Sequence, residues 1–148
     1  MTEKLPVHTE EFIFDRLGLD DAARWLFDKC ASHAVWLFDA PMGAGKTTLI
    51  RAIIRRLDAG AFLGSPTFSI VHEYEGREGE KIFHFDLYRL KRFEELADIG
   101  FDMYLDRGDL IFVEWPEKAL PFLDDYCRIR LEIIDPQTRR LILEKPVS

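Results

Sequence analysis

The run Met42-Gly43-Ala44-Gly45-Lys46-Thr47-Thr48 places two glycines, an ammonium group and two hydroxyls side by side. It follows the apolar run Ala34-Val35-Trp36-Leu37-Phe38 and precedes Leu49-Ile50-Arg51-Ala52-Ile53-Ile54, which has the composition of a helix. A buried strand would deliver the chain to a glycine-rich turn, and a helix would start there. Backbone N–H groups and the positive end of the helix dipole then converge on one point, which is a cradle for phosphate. Lys46 can reach terminal phosphates, and the Thr47 hydroxyl can ligate Mg²⁺. Against the pattern G-x-x-x-x-G-K-[ST], Gly45, Lys46 and Thr47 fit, while Ala40 stands at the first position. Alanine there implies a backbone angle that does not need positive φ. An ordinary glycine-containing turn is the alternative, and the order strand, loop, Lys-Thr, helix argues against it.

Other groups are placed to join this chemistry. Glu114 directly follows Leu110-Ile111-Phe112-Val113. In open α/β sheets ligands sit beyond the carboxyl ends of parallel strands, so this carboxylate can meet the metal side of bound phosphates, directly or through water. A solvated strand-end carboxylate is the plainer reading. In His84-Phe85-Asp86-Leu87-Tyr88-Arg89, an extended chain puts His84, Asp86 and Tyr88 on one face and Phe85 and Leu87 toward the core. Asp86 is a candidate for a water-mediated Mg²⁺ contact, and His84 reads as a hydrogen-bonded structural residue. Arg89 fits a surface ion pair, a partner contact or a phosphate contact. Ser65-Pro66-Thr67-Phe68 is a plain turn, or a loop that senses the terminal phosphate with Thr67 near Mg²⁺ or the attacking water. Trp115-Pro116 is core packing, or a movable lid or partner contact beside a candidate metal ligand. No Asn-Lys-x-Asp guanine reader, G-x-S-x-G turn or H-E-x-x-H pair is present.

These residues need elements to hold them. Asp20 is a candidate cap for a helix over residues 21–31, with Ala22, Ala23, Leu26, Phe27 and Cys30 on one stripe. Ala34–Phe38 and Leu110–Val113 are continuous apolar runs suited to central parallel strands. The helix after the loop sends Leu49, Ile50, Ile53, Ile54 and Leu57 inward and ends near Asp58-Ala59-Gly60. Phe68 to Tyr74 and Lys81 to Asp86 read as a hairpin across the charged turn 76–80. A short helix covers Phe93–Asp98 and ends at Gly100. Ile129–Ile134 and Leu141–Leu143 are closing strands around a turn at Asp135-Pro136-Gln137. Glu11–Asp15 is too short to assign, and residues 1–10 read as loose. The expected fold is α/β: one domain over residues 1–148, a mixed sheet with parallel central strands and antiparallel flanking strands.

Composition narrows the function. At 148 residues with 47% hydrophobic residues, the chain can bury a core of its own. A net charge of −7 argues against broad, unaided nucleic-acid binding. No apolar run approaches the ~20 residues of a membrane span, and the N-terminus has no signal-peptide pattern. Cys30 and Cys127 have no metal spacing and fit free thiols in a reducing cytoplasm.

Taken in order, A-P-M-G-A-G-K-T-T, S-P-T-F, H-F-D-L-Y-R and V-E-W-P-E resemble the bacterial TsaE (YjeE) ATPases, over about Val35 to Glu117. The last three motifs carry most of the specificity. The resemblance implies a P-loop NTPase-like domain in the cytoplasm that binds ATP and Mg²⁺. It also implies a role in forming threonylcarbamoyladenosine in tRNA, as a nucleotide switch on a complex of TsaD and TsaB, with tRNA met only through that complex. It implies that Met42 to Thr48 bind the nucleotide, that Lys46 contacts phosphates, that Thr47 and Glu114 serve Mg²⁺ with Asp86 at the metal side, and that Lys46, Thr67 and Glu114 form the catalytic set. Trp115 would sit in a second mobile segment. The chain departs from the family pattern at Ala40 and at Pro41-Met42, where Gly followed by Asp-Leu is usual. Arg139 or Arg140 is a further candidate for holding the nucleotide. A small-molecule kinase with Arg89, Lys91 and Arg92 as a cationic lid is the runner-up, and a non-catalytic module that binds nucleotide for stability is the third reading.

Overall fold

The computed structural model describes residues 7–57 and 70–146. The Ser65–Phe68 turn and the helix end at 58–60 lie outside the described residues. Seven strands form one sheet in the order β1-β7-β6-β2-β5-β4-β3: β1 Val7–Asp15, β2 Val35–Asp39, β3 Val71–Glu75, β4 Lys81–Asp86, β5 Leu110–Glu114, β6 Cys127–Asp135 and β7 Thr138–Pro146. Helices α1 Leu19–Cys30 and α2 Lys46–Arg56 precede and follow β2, and α3 Glu94–Asp98 and α4 Phe101–Arg107 link β4 to β5. Strands β4, β5, β2 and β6 run parallel, while β3, β7 and β1 are antiparallel to their neighbours. This is the mixed sheet expected from the sequence.

The central strands are apolar on both faces because helices cover both. Trp36, Phe38 and Phe112 pack beneath α1 and α2, joined by Leu26, Leu49, Ile50 and Ile53. Val35, Leu37, Ile111 and Val113 face the other way, onto Phe83, Phe85, Leu96 and Phe101. Alternation along each strand thus feeds two cores, and a continuous apolar run is the sequence signature of that burial. Cys30 and Cys127 are buried thiols in the first of these cores.

Four sequence expectations change. Strand β1 begins at Val7, so part of the stretch read as loose is ordered, its backbone paired with β7 from Val7↔Pro146 to Asp15↔Thr138. Asp20 does not cap α1. Asp15 accepts from the Gly18 N–H at 3.0 Å to start a 3-10 turn that runs straight into the helix, with Gly18 at the N-cap. Asp20 then lies in the first turn, where its charge suits the helix dipole. Gly100 does more than end α3. At φ 78° it reverses the chain into α4, which puts Phe101 in the core. Tyr88 does not continue the extended face, because β4 ends at Asp86, whose carboxylate accepts the Tyr88 N–H at 3.1 Å.

His72 on β3 lies against His84 on β4, with ring centroids 5.6 Å apart. Burial, and then the neighbouring His84, lower the His72 pKa below 6.5. The unfolded chain therefore binds the proton first as pH falls. The stability from this group is complete above pH 6.5 and is lost as pH drops from 6.5 through the lower folded value. Urea midpoints at pH 7.5 and 5.5 are expected to differ less in His72→Phe than in the parent chain; an equal difference would contradict this origin.

Candidate phosphate-binding site

The parallel register brings the carboxyl ends of three strands together. Asp86 pairs with Glu114, and Glu114 with Phe38, so the loop after β2 opens beside both carboxylates. The loop turns through left-handed glycines, Gly43 at φ 79° and Gly45 at φ 99°, while Ala40 is not left-handed, as its identity implied. Gly45 is the N-cap of α2, and no side chain caps that helix. Its first N–H groups are thus left for an outside acceptor.

A Cβ at Gly45 would meet no atom within 4 Å, so only the backbone conformation resists a side chain there. Gly45→Ala is expected to cost about 1–2 kcal/mol of stability, measured by urea unfolding. An unchanged midpoint would mean that the loop does not need its left-handed turn.

A cavity of about 420 Å³ opens above the loop, lined by Pro41, Met42, Gly43, Gly45, Lys46, Thr47, Thr48, Asp86, Tyr88, Glu114 and Trp115. The candidates Met42, Gly43, Gly45, Lys46, Thr47, Thr48, Asp86 and Glu114 meet here, whereas Arg89, Arg139, Arg140 and Ala44 do not line it. Ala44 is buried under the loop, with its N–H donated to the Pro41 carbonyl at 3.2 Å. Thr67 lies outside the described residues.

Glu114 and His84 are the buried polar side chains of the described core, at 4% and 8% exposure. His84 Nε2 lies 2.6 Å from Glu114 Oε2. An ionised carboxylate only accepts, so Nε2 carries the proton and donates. Glu114 Oε1 remains turned to the cavity, 3.9 Å from Lys46 Nζ. The sequence reading of His84 as hydrogen-bonded was right, but its partner is the site carboxylate itself. The signal was available in the two-residue spacing that sets His84 on the same strand face as Asp86.

Lys46 Nζ also lies over the Trp115 ring, 3.9 Å from its centroid. Tyr88 flanks that ring at 5.0 Å. Trp115 has φ 56°, a left-handed conformation that costs a bulky residue about 1–3 kcal/mol. Burial pushes the Lys46 pKa below 10.5, and the carboxylates of Glu114, Asp86, Asp39 and Glu117 oppose that shift. The cavity wall itself carries two carboxylates, Asp86 and Glu114, beside one ammonium, Lys46.

The described residues contain no group of three or more His, Cys, Asp or Glu able to hold a metal alone. Mg²⁺ does not need one. It is usually held by one or two carboxylates, waters and substrate phosphates, and Thr47, Glu114 and Asp86 fit that donor set.

Fold and loop together define the class: a mixed α/β protein with a glycine-rich strand-to-helix loop facing acidic strand ends. The family model described as threonylcarbamoyl adenosine biosynthesis protein TsaE matches residues 15–142. The chain belongs to this family. It is 39% identical over 126 residues to a tRNA threonylcarbamoyladenosine biosynthesis protein TsaE of Haemophilus influenzae, covering 84% of this chain and 77% of that one. A protein of the same name from Rickettsia felis is 34% identical over 119 residues, covering 79% and 68%. Among solved structures, Bacillus subtilis YdiB matches with a TM-score of 0.70 at 19% identity, covering 97% of this chain and 90% of that one, a likeness of fold. No helix among the described residues is long and apolar enough to cross a membrane.

Proposed function

We propose that this chain binds ATP with Mg²⁺ in the cavity between its glycine loop and Glu114, and hydrolyses it slowly as a switch on a TsaB–TsaD complex during threonylcarbamoyladenosine formation in tRNA. In this reading the chain works as one cytoplasmic ATPase domain. One observation carries it: the uncapped start of α2, Lys46 and Glu114 all face a single cavity at the carboxyl edge of the parallel strands. Membership of the TsaE family supports the place in tRNA modification.

The roles follow from position. Met42, Gly43, Ala44 and Gly45 shape the loop, and the amides of Lys46, Thr47 and Thr48 face phosphate oxygens. Lys46 neutralises phosphate charge once drawn off Trp115. Thr47 and Glu114 would hold the cation, and Asp86 would serve it directly or through water. The bound cation supplies charge neutralisation on the phosphates. Glu114, fixed by His84, keeps one oxygen aimed at the cavity, and Thr67 is assigned to the loop that meets the terminal phosphate. Phosphoryl transfer needs positioning and charge more than covalent help.

The kinase reading has less support. Arg89, Lys91 and Arg92 are exposed, and none of them lines the cavity. Size-exclusion of the purified chain with TsaB and TsaD tests the switch: co-elution is expected to depend on ATP and Mg²⁺, and isolated turnover to stay well below about 10 s⁻¹, an ordinary enzyme value. Nucleotide-independent co-elution, or turnover at that value, would overturn the proposal.

A further inference from the structure

Arg139 lies on β7, 95 residues from the loop in sequence, yet its Nε donates to the Ala44 carbonyl at 2.8 Å. The same guanidinium donates through Nη1 to the carbonyls of Asp135 at 2.8 Å and Thr138 at 3.1 Å. One rigid fork therefore joins the β6–β7 turn to the glycine loop. The turn is itself held: the Gln137 N–H donates to the Asp135 carboxylate at 2.8 Å, and a register irregularity between Ile133 and Asp135 re-aims the chain just before it.

We propose that Arg139 is a positioning residue for phosphate binding, acting through the Ala44–Gly45 peptide. In a planar trans peptide the carbonyl and the next N–H point in opposite directions. Ala44 faces an adjoining slot of about 230 Å³, lined also by Phe14, Leu131, Pro136 and Arg139, and is absent from the wall of the phosphate cavity, while Gly45 and Thr48 border both. Holding its carbonyl on the slot side turns the Gly45 N–H toward the cavity. The loop needs such a tie. Two glycines free in φ flank Ala44, and no side chain caps α2. The loop's own fastening at this point is the longer Ala44 N–H to Pro41 bond of 3.2 Å. A guanidinium fits the task because its planar donors engage several carbonyls at once.

The inference rests on the proposed nucleotide site, and the test separates the two. Calorimetry would compare MgATP with magnesium tripolyphosphate, which has no base or ribose, on the parent chain, Arg139→Met and Arg139→Lys. The expected result is that Arg139→Met weakens both ligands by a similar factor of about tenfold, the scale of one charge-assisted hydrogen bond. Arg139→Lys should recover part of the loss. Ligand-free hydrogen exchange should accelerate at the Ala44 amide, which is bonded to the Pro41 carbonyl, in Arg139→Met, with far-UV dichroism unchanged. Loss of ATP binding alone, with tripolyphosphate unaffected, would overturn the inference in favour of a direct nucleoside contact. Unchanged affinities, or unchanged exchange, would overturn it outright. Failure of the parent chain to bind either ligand would sink the nucleotide site itself, while the exchange experiment would still judge Arg139.

Discussion

Lys46→Ala is expected to weaken MgATP binding by about 10- to 100-fold and to abolish measurable hydrolysis, while the protein stays folded. Hydrogen bonds to charged groups contribute about 1.5–3 kcal/mol, and each 1.4 kcal/mol is about tenfold in affinity. Folding should tolerate the loss because burial already disfavours the ammonium, as its lowered pKa records. Its partner Glu114 keeps its bond to His84. What the fold loses is a cation resting on Trp115 at 3.9 Å. Removing it also changes the surroundings of Trp115, so indole emission should shift in the ligand-free variant and respond less to nucleotide. Calorimetry and fluorescence read the two effects separately. Affinity within threefold of the parent would mean that Lys46 does not face the phosphates. Unchanged tRNA modification in cells carrying the variant would favour the reading in which the loop serves stability alone.

Glu114→Gln is expected to lose turnover while keeping nucleotide. Nucleotide binding should survive within a few-fold, because the amide keeps the shape of the side chain and a carbonyl oxygen for the His84 Nε2–H. Hydrolysis should fall by about 10²–10³-fold, the scale of removing one pre-positioned electrostatic group. The Mg²⁺ concentration needed for half-maximal nucleotide binding should rise. This separation of binding from turnover follows from the geometry. One carboxylate oxygen is committed to His84 at 2.6 Å, and the other faces the cavity beside Lys46 at 3.9 Å. Hydrolysis within threefold of the parent, at matched Mg²⁺, would remove Glu114 from the metal side.

The residues that fix the site were legible because strand and helix constraints on them are local. Ala34–Phe38 and Leu110–Val113 read as buried parallel strands, and each ends where a candidate site segment begins. The glycine loop carries its own punctuation, with positive φ at Gly43 and Gly45. What stayed hidden depends on contacts between distant segments. Nothing in the sequence sets Arg139 against Ala44 or chooses between Arg139 and Arg140, since that follows from the pairing of β6 with β7 and the irregularity at their turn. Strand β1 escaped assignment because its backbone pairing with β7 crosses most of the chain. Helix α4 is short, and its apolar pattern at Phe101, Tyr104 and Leu105 is brief. The Asp20 cap was a reasonable local choice overridden by a tighter turn held by Asp15.

The central claim is that the strand-to-helix loop, Lys46 and the β5 carboxylate together hold a nucleoside triphosphate with its cation. Titration calorimetry of the full chain with ATP, with and without Mg²⁺, tests it most directly. Saturable binding at one site per chain that strengthens when Mg²⁺ is present is the predicted result. No heat of binding from folded protein at millimolar ATP and Mg²⁺, confirmed by equilibrium dialysis, would contradict it.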